Sequence, residues 1–214
     1  MATDKNNLEP AGLKLGPLWF MPGYTIANLA TVNLFAFCVI AMVTFMSFAQ
    51  PYVLTEILHI PEARQGTFTG NLAAIAEIFQ LILVGFFGAW SDRVGRRLVF
   101  AIGFSLIGLS FILYPLATSE TEIVFYRLIF AAGCASAPIM MSAVVQDSIR
   151  EISRGKWLAV NSICTALGVL FMALFLARLP DMLVERGMQP ALAGRYAFWV
   201  AAGFCAVTGV LIWA

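Results

Sequence analysis

An all-α integral membrane protein, built as a bundle of six transmembrane helices, is the fold class this sequence predicts, and three observations predict it. Hydrophobic residues make up 61% of the 214-residue chain and charged residues 12%, against about a quarter charged in a soluble domain. Mean hydropathy is +0.87, and the apolar residues gather into six runs close to the roughly 20 residues that cross a bilayer as a helix. Between the second and third runs, Asp92, Arg93, Arg96 and Arg97 place four charges within six residues, so the chain leaves and re-enters the bilayer sharply.

Taken in order, Met1 to Lys14 mixes Asp4 and Glu9 with Lys5 and Lys14. It does not read as the basic lead of a signal peptide, and residues 1–25 are expected to form an N-terminal segment outside the bilayer. From Leu15 to Thr55 no residue is charged, and Trp19 and Tyr24 read as interfacial anchors. The first span is expected at about 27–49, ended by Pro51, with Asn33, Thr44 and Ser47 on one face. Residues 56–69 read as a mixed loop, in which Leu54 to Ile60 suits a short interfacial helix before Pro61.

The second span, about 70–90, carries Glu77 and Gln80 one turn apart, about 10 Å into the helix. Gly85 and Gly88 close it at a spacing that suits close helix approach. The third, about 98–119, lacks charge and reads as a scaffold. The fourth, about 123–145, holds Arg127 and the small-residue run Ala131 to Ala137 before Pro138, with Gly133 expected at a helix contact. A charged turn, Asp147 to Lys156, leads to the fifth span at about 157–177. Residues 178–195 read as a polar hairpin before the sixth span, about 196–214. The chain stops at Ala214 inside that span, which suggests a fragment or a truncated reading frame.

Charge placement sets orientation. Lys5, Lys14, Arg93, Arg96, Arg97, Arg150, Arg154 and Lys156 put 8 basic residues on the side of the N-terminus, and Arg64, Arg178, Arg186 and Arg195 put 4 on the other. The bias places the N-terminus in the cytoplasm. A net charge of +1 offers nothing to nucleic acid. Cys38, Cys134, Cys164 and Cys205 all lie in apolar runs, where a thiol acts as a small hydrophobe. With His59 alone in a loop, no metal or cofactor site is expected.

The stretch Gly88 to Arg97 combines Gly88, Asp92, Arg93, Gly95, Arg96 and Arg97 between two hydrophobic spans. It resembles the signature loop between the second and third helices of the major facilitator superfamily. Gly95 supplies a residue able to take positive φ in a short reversal. Arg127 followed by Ala131, Gly133 and Ala135 resembles that family's fourth helix, with Ala131 where the family has its first glycine, and Arg154-Gly155-Lys156 loosely resembles a second cytoplasmic loop. The resemblance covers essentially the whole chain and implies one half of a major facilitator fold, a multi-pass protein of the bacterial inner (plasma) membrane. It implies partnership with the lipid bilayer, a small-molecule substrate, and a missing C-terminal six-helix half or a second copy.

The resemblance further implies alternating access, with the first and fourth helices lining the path. Asp92, Arg93, Arg96 and Arg97 would form a charge network that latches one state. Glu77 is the candidate for proton coupling, because a carboxyl in a low-dielectric span favours its neutral form. Arg127 is its natural counter-charge, and a static ion pair between the two is an equal alternative. Asn33, Thr44, Ser47 and Gln80 suit a polar substrate, or interhelical hydrogen bonds worth about 1 kcal/mol each. Family antiporters tend to carry a Gly- and Pro-rich fifth helix; this one has Gly168 and no proline, which favours uptake over drug or metabolite export. An intramembrane serine protease fails on inventory, because no histidine lies in a span. A non-transporting accessory protein stays open as the alternative to a carrier.

Overall fold

The computed structural model describes residues 14–16, 18–23 and 25–213. Tyr24 and Lys5 lie outside the described residues. Seven helices follow a two-stranded hairpin: α1 Ile26–Tyr52, α2 Glu62–Val94, α3 Arg96–Leu113, α4 Glu120–Asp147, α5 Arg154–Phe171, α6 Leu179–Glu185 and α7 Pro190–Trp213. Six helical segments among the described residues are long and apolar enough to cross a membrane, and the short α6 closes the fifth of them, Glu151–Glu185.

The hairpin pairs Lys14–Leu15 with Leu18–Trp19 in antiparallel register. It docks on the link between α4 and α5. The Met21 N–H donates to the Ser148 carbonyl and the Arg150 N–H to the Trp19 carbonyl, both at 3.1 Å, and the Trp19 N–H donates to Ser153 Oγ at 3.0 Å. Phe20 is fully buried there, edge-on to Trp157 with centroids 5.0 Å apart. The hairpin and the charged turn therefore share one end of the bundle, together with Gly95.

The turn between α2 and α3 is shorter than a loop. Asp92 and Arg93 still belong to the last turn of α2, Gly95 alone reverses the chain at φ 95° and ψ 142°, and Arg96 opens α3. Side chains avoid that backbone region. Gly95→Ala is expected to cost about 1–3 kcal/mol, read as a lower melting temperature of the detergent-solubilised protein; an unchanged melt would show that the turn relaxes freely.

Helix ends differ from the hydropathy-based expectation. Pro51 does not end α1; the helix runs through it to Tyr52 and on into a π-helical turn, Val53–Ile57. Pro51 lacks the N–H that would reach the Ser47 carbonyl, the Val53 N–H bonds to the Ala49 and Gln50 carbonyls, and the wider turn is closed by the Leu58 N–H donating to the Val53 carbonyl at 3.1 Å. The helical part of that stretch, up to Ile57, is thus a continuation of α1 and not a separate interfacial helix, and the reversal comes at His59, φ 51°, before Pro61. Residues 62–69 are the first turns of α2 instead of a loop. The expected polar hairpin at 178–195 holds α6 and the start of α7, and Arg154-Gly155-Lys156 opens α5. Hydropathy marks where the bilayer is; helix-forming polar residues carry each helix past it.

The core lies among α1, α3, α4 and α7. Phe45, Phe111 and Phe198 meet with centroids 5.2 to 6.0 Å apart, and Tyr114 stacks on Phe198 at 5.7 Å. Glycines set the closest approaches. A Cβ on Gly133 would lie 2.8 Å from the Gly103 carbonyl and 2.9 Å from the Ile107 nitrogen, and one on Gly103 would lie 2.9 Å from the Ala137 nitrogen, so α3 and α4 touch backbone to backbone. Gly168 brings α5 equally close to α1 beside Phe37 and Ile40. Gly85 and Gly88, by contrast, have nothing within 4 Å of a built Cβ. The expected close packing at that pair is not made within this chain, because that part of α2 faces outward.

Candidate functional site

Three helices bring four of the singled-out polar residues to one small cavity of about 160 Å³. Ser47 comes from α1, Glu77 and Gln80 from α2 and Arg127 from α4, with Ala76, Phe130, Cys134 and Pro138 completing the wall. The frame that holds them is built near the opposite end of the bundle from the hairpin. Gln50 Nε2 donates to Thr69 Oγ1 at 3.3 Å, tying α1 to α2, and Arg64 pairs with Glu120 at 3.3 Å, tying α2 to α4.

Arg127 defines the electrostatics. Its Nε and Nη1 are buried and have no hydrogen-bond partner, while the guanidinium lies 5.1 Å from the Phe130 ring centroid. Arginine cannot shed its proton, and a buried donor without an acceptor is costly. No ion pair joins Arg127 to Glu77 among the described residues, so the static pair is not formed. Glu77 sits exposed at the cavity rim and Gln80 is half-buried. Pro138, inside α4, cannot donate to the Cys134 carbonyl one turn earlier, which leaves a weakened rung in the wall of the cavity. The cavity beside Arg127 has room for acceptors: water, a carboxylate that moves, or the oxygen of a bound solute.

The rest of the expected polar face does not converge there. Asn33 donates to the Leu29 carbonyl of its own helix at 3.0 Å, and its Oδ1 is buried without a partner. Thr44 is half-buried and does not line the cavity. Along α1 the three residues share a face, but the cavity meets only the segment that crosses α2 and α4.

At the hairpin end, the charge network differs from the one the resemblance implies. Asp92, Arg93 and Arg97 are exposed, and Asp92 makes no ion pair among the described residues. Arg96 instead pairs with Asp147 at the end of α4. Gly95 turns the chain so that α3 opens against α4, which brings Arg96 to that carboxylate and leaves Asp92 on the outer side of α2. Sequence reading placed Asp147 only in a charged turn; the signal for its role was an acid ending one helix while a basic pair opened another.

The helices, their order and the placement of the reversal define a six-helix membrane bundle of the facilitator type. The sequence profile of the Major Facilitator Superfamily matches residues 32–214, and the chain belongs to that family. Among its relatives, the magnetosome protein MamH of Paramagnetospirillum magneticum is 26% identical over 153 residues, covering 68% of this chain and 35% of MamH. The class E tetracycline resistance protein of Escherichia coli is 31% identical over 102 residues, 47% of this chain and 25% of that protein. The solved structure of the proton:xylose symporter XylE, with bound 6-bromo-6-deoxy-D-glucose, superposes with a TM-score of 0.70 at 18% identity, over 89% of this chain and 45% of that one. That likeness is one of fold. The chain spans under half the length of each of these proteins.

Proposed function

We propose that this chain is the N-terminal half of a secondary active transporter that moves a small solute by alternating access, with proton-coupled uptake as its mode. The observation that carries the reading is the convergence of Ser47, Glu77, Gln80 and Arg127 on one cavity: a fixed cation lacking an acceptor, beside a carboxylate able to change its protonation. Arg127 and the two amide or hydroxyl groups bind the solute, and Glu77 carries the proton. The cavity is completed by a second six-helix body, either a C-terminal half or a second copy. The faces of α2 and α5 suit its docking, since most of their apolar residues are exposed, whereas those of α1 are largely buried. In the proposed orientation the hairpin end faces the cytoplasm of a bacterium.

Solute flux in proteoliposomes tests the reading. Saturable uptake driven by an inward proton gradient supports it; absence of any saturable flux returns the chain to a membrane accessory role. Similarity to a tetracycline resistance protein favours export as the second reading, and flux that raises lumenal solute only against an opposed proton gradient would select it.

Asp92 is proposed as a gating residue at the hairpin end. Asp92→Asn is expected to slow turnover several-fold while membrane insertion stays intact, checked by initial rates normalised to inserted protein. Turnover equal to the parent would leave Asp92 with only a topological role.

A further inference from the structure

Arg127 carries a full positive charge into a largely apolar part of the bundle, and no carboxylate meets it there. Arg127 and Glu77 are the charged residues in the wall of its cavity, and no ion pair joins them among the described residues. The other groups that face the guanidinium bring no negative charge. Ser47 comes from α1 and Gln80 from α2, while the Tyr114 phenol, just past α3, and the Cys134 thiol of α4 lie within Coulombic reach. The Tyr114 hydroxyl is itself buried without a hydrogen-bond partner, so it does not accept from the arginine. The Phe130 ring, 5.1 Å away, attracts the cation through its face, but Nε and Nη1 remain without an acceptor.

Resting on the transport reading of this cavity, we infer that the solute is a short monocarboxylate whose carboxylate seats on Arg127, and that it crosses together with the proton on Glu77. Charge selects the class. Water or a neutral hydroxyl can accept from Nε and Nη1, but only an anion also offsets the charge, and charge-assisted hydrogen bonds are roughly twice as strong as neutral ones. Size limits it further: the part of the cavity this chain encloses, about 160 Å³, holds about five waters at ~30 Å³ each, or a short acid of the size of lactate. A second carboxylate on the solute would meet Glu77 at the rim with no further cation in the wall. Coupling follows from the same geometry. Ionised Glu77 and the solute carboxylate compete for one guanidinium, so loading the anion favours the protonated form of Glu77. One anion and one proton then move together with no net charge.

The test measures binding to the purified protein in neutral detergent by saturation-transfer NMR, with lactate against lactamide and acetate against acetamide as probes. Below neutral pH, at least one acid is expected to bind about tenfold more tightly than its amide. Arg127→Gln should abolish that preference, and Arg127→Lys, which keeps the charge, should retain part of it. The parent's affinity for the acid should fall as pH rises, whereas Glu77→Gln should bind it equally across the range. Equal binding of acid and amide in both pairs overturns the site, as does no binding of either acid, which would leave water as the occupant. A preference that survives in Arg127→Gln overturns it too. Should that variant fail to fold, the pH series on the parent decides, and an acid affinity that does not change with pH overturns the shared passage with the proton. Binding and flux fail separately: acid preference without flux keeps the site and ends the transport reading, while saturable flux of a neutral solute without acid preference does the reverse.

Discussion

Gly133→Ala is expected to lower the melting temperature of the solubilised protein by roughly 3–10 °C, from an overpacking cost of about 1–3 kcal/mol. The added methyl would lie 2.8 Å from the Gly103 carbonyl and 2.9 Å from the Ile107 nitrogen, and neither is the loose end of a side chain. Relief requires α3 and α4 to separate, which loosens the Phe111–Phe130 contact, now 5.8 Å between centroids. Gly103→Ala approaches the same seam from the other helix and should cost a similar amount; the two costs should not add, because one separation relieves both. Gly85→Ala and Gly88→Ala are the controls. Their methyl groups enter open space, and helix propensity favours alanine over glycine by up to about 1 kcal/mol. A parent-like melt for Gly133→Ala would mean that α3 and α4 are not in backbone contact.

Glu77→Gln is expected to abolish uphill accumulation in proteoliposomes while leaving solute exchange within a few-fold of the parent. Glutamine keeps the size and hydrogen-bonding reach of the side chain but cannot take up and release a proton, so the coupling is lost and the path is kept. Arg127→Gln should instead depress exchange and accumulation together, since it removes the cation that holds the solute. The two variants separate the proton carrier from the binding group. Proton-driven accumulation that survives in Glu77→Gln removes Glu77 from the coupling step. The position of Glu77 at the rim, near but unpaired with Arg127, is what permits this division: a tight pair would make either substitution expose a bare charge.

The reversal at Gly95 was legible because it is local. A glycine between charge clusters, flanked by apolar runs, admits few structures, and the chain adopts φ 95° there. Helix ends were less legible, as Pro51 and residues 62–69 illustrate, since hydropathy reports contact with lipid and not the hydrogen-bond ladder. Spacing alone did not tell which glycines meet another helix. Gly85 and Gly88 are spaced for close approach, on either side of Phe86 and Phe87, yet have nothing within 4 Å of a built Cβ, whereas Gly133, in its run of small residues, meets backbone.

By itself, the sequence determined six spans, their order, the sharp turn and the residues that have polar or ionic chemistry inside the bilayer. All of these follow from hydropathy and from the 3.6-residue period, which are properties of contiguous chain. The tertiary structure alone decided that Ser47, Glu77, Gln80 and Arg127 share a cavity while Asn33 and Thr44 do not, and that Arg96 answers to Asp147 and not to Asp92. Those pairings join residues tens of positions apart, and they depend on which helix face meets which. Interdigitating side chains and the backbone contact at Gly103 and Gly133 set that choice, and neither is written in any one helix.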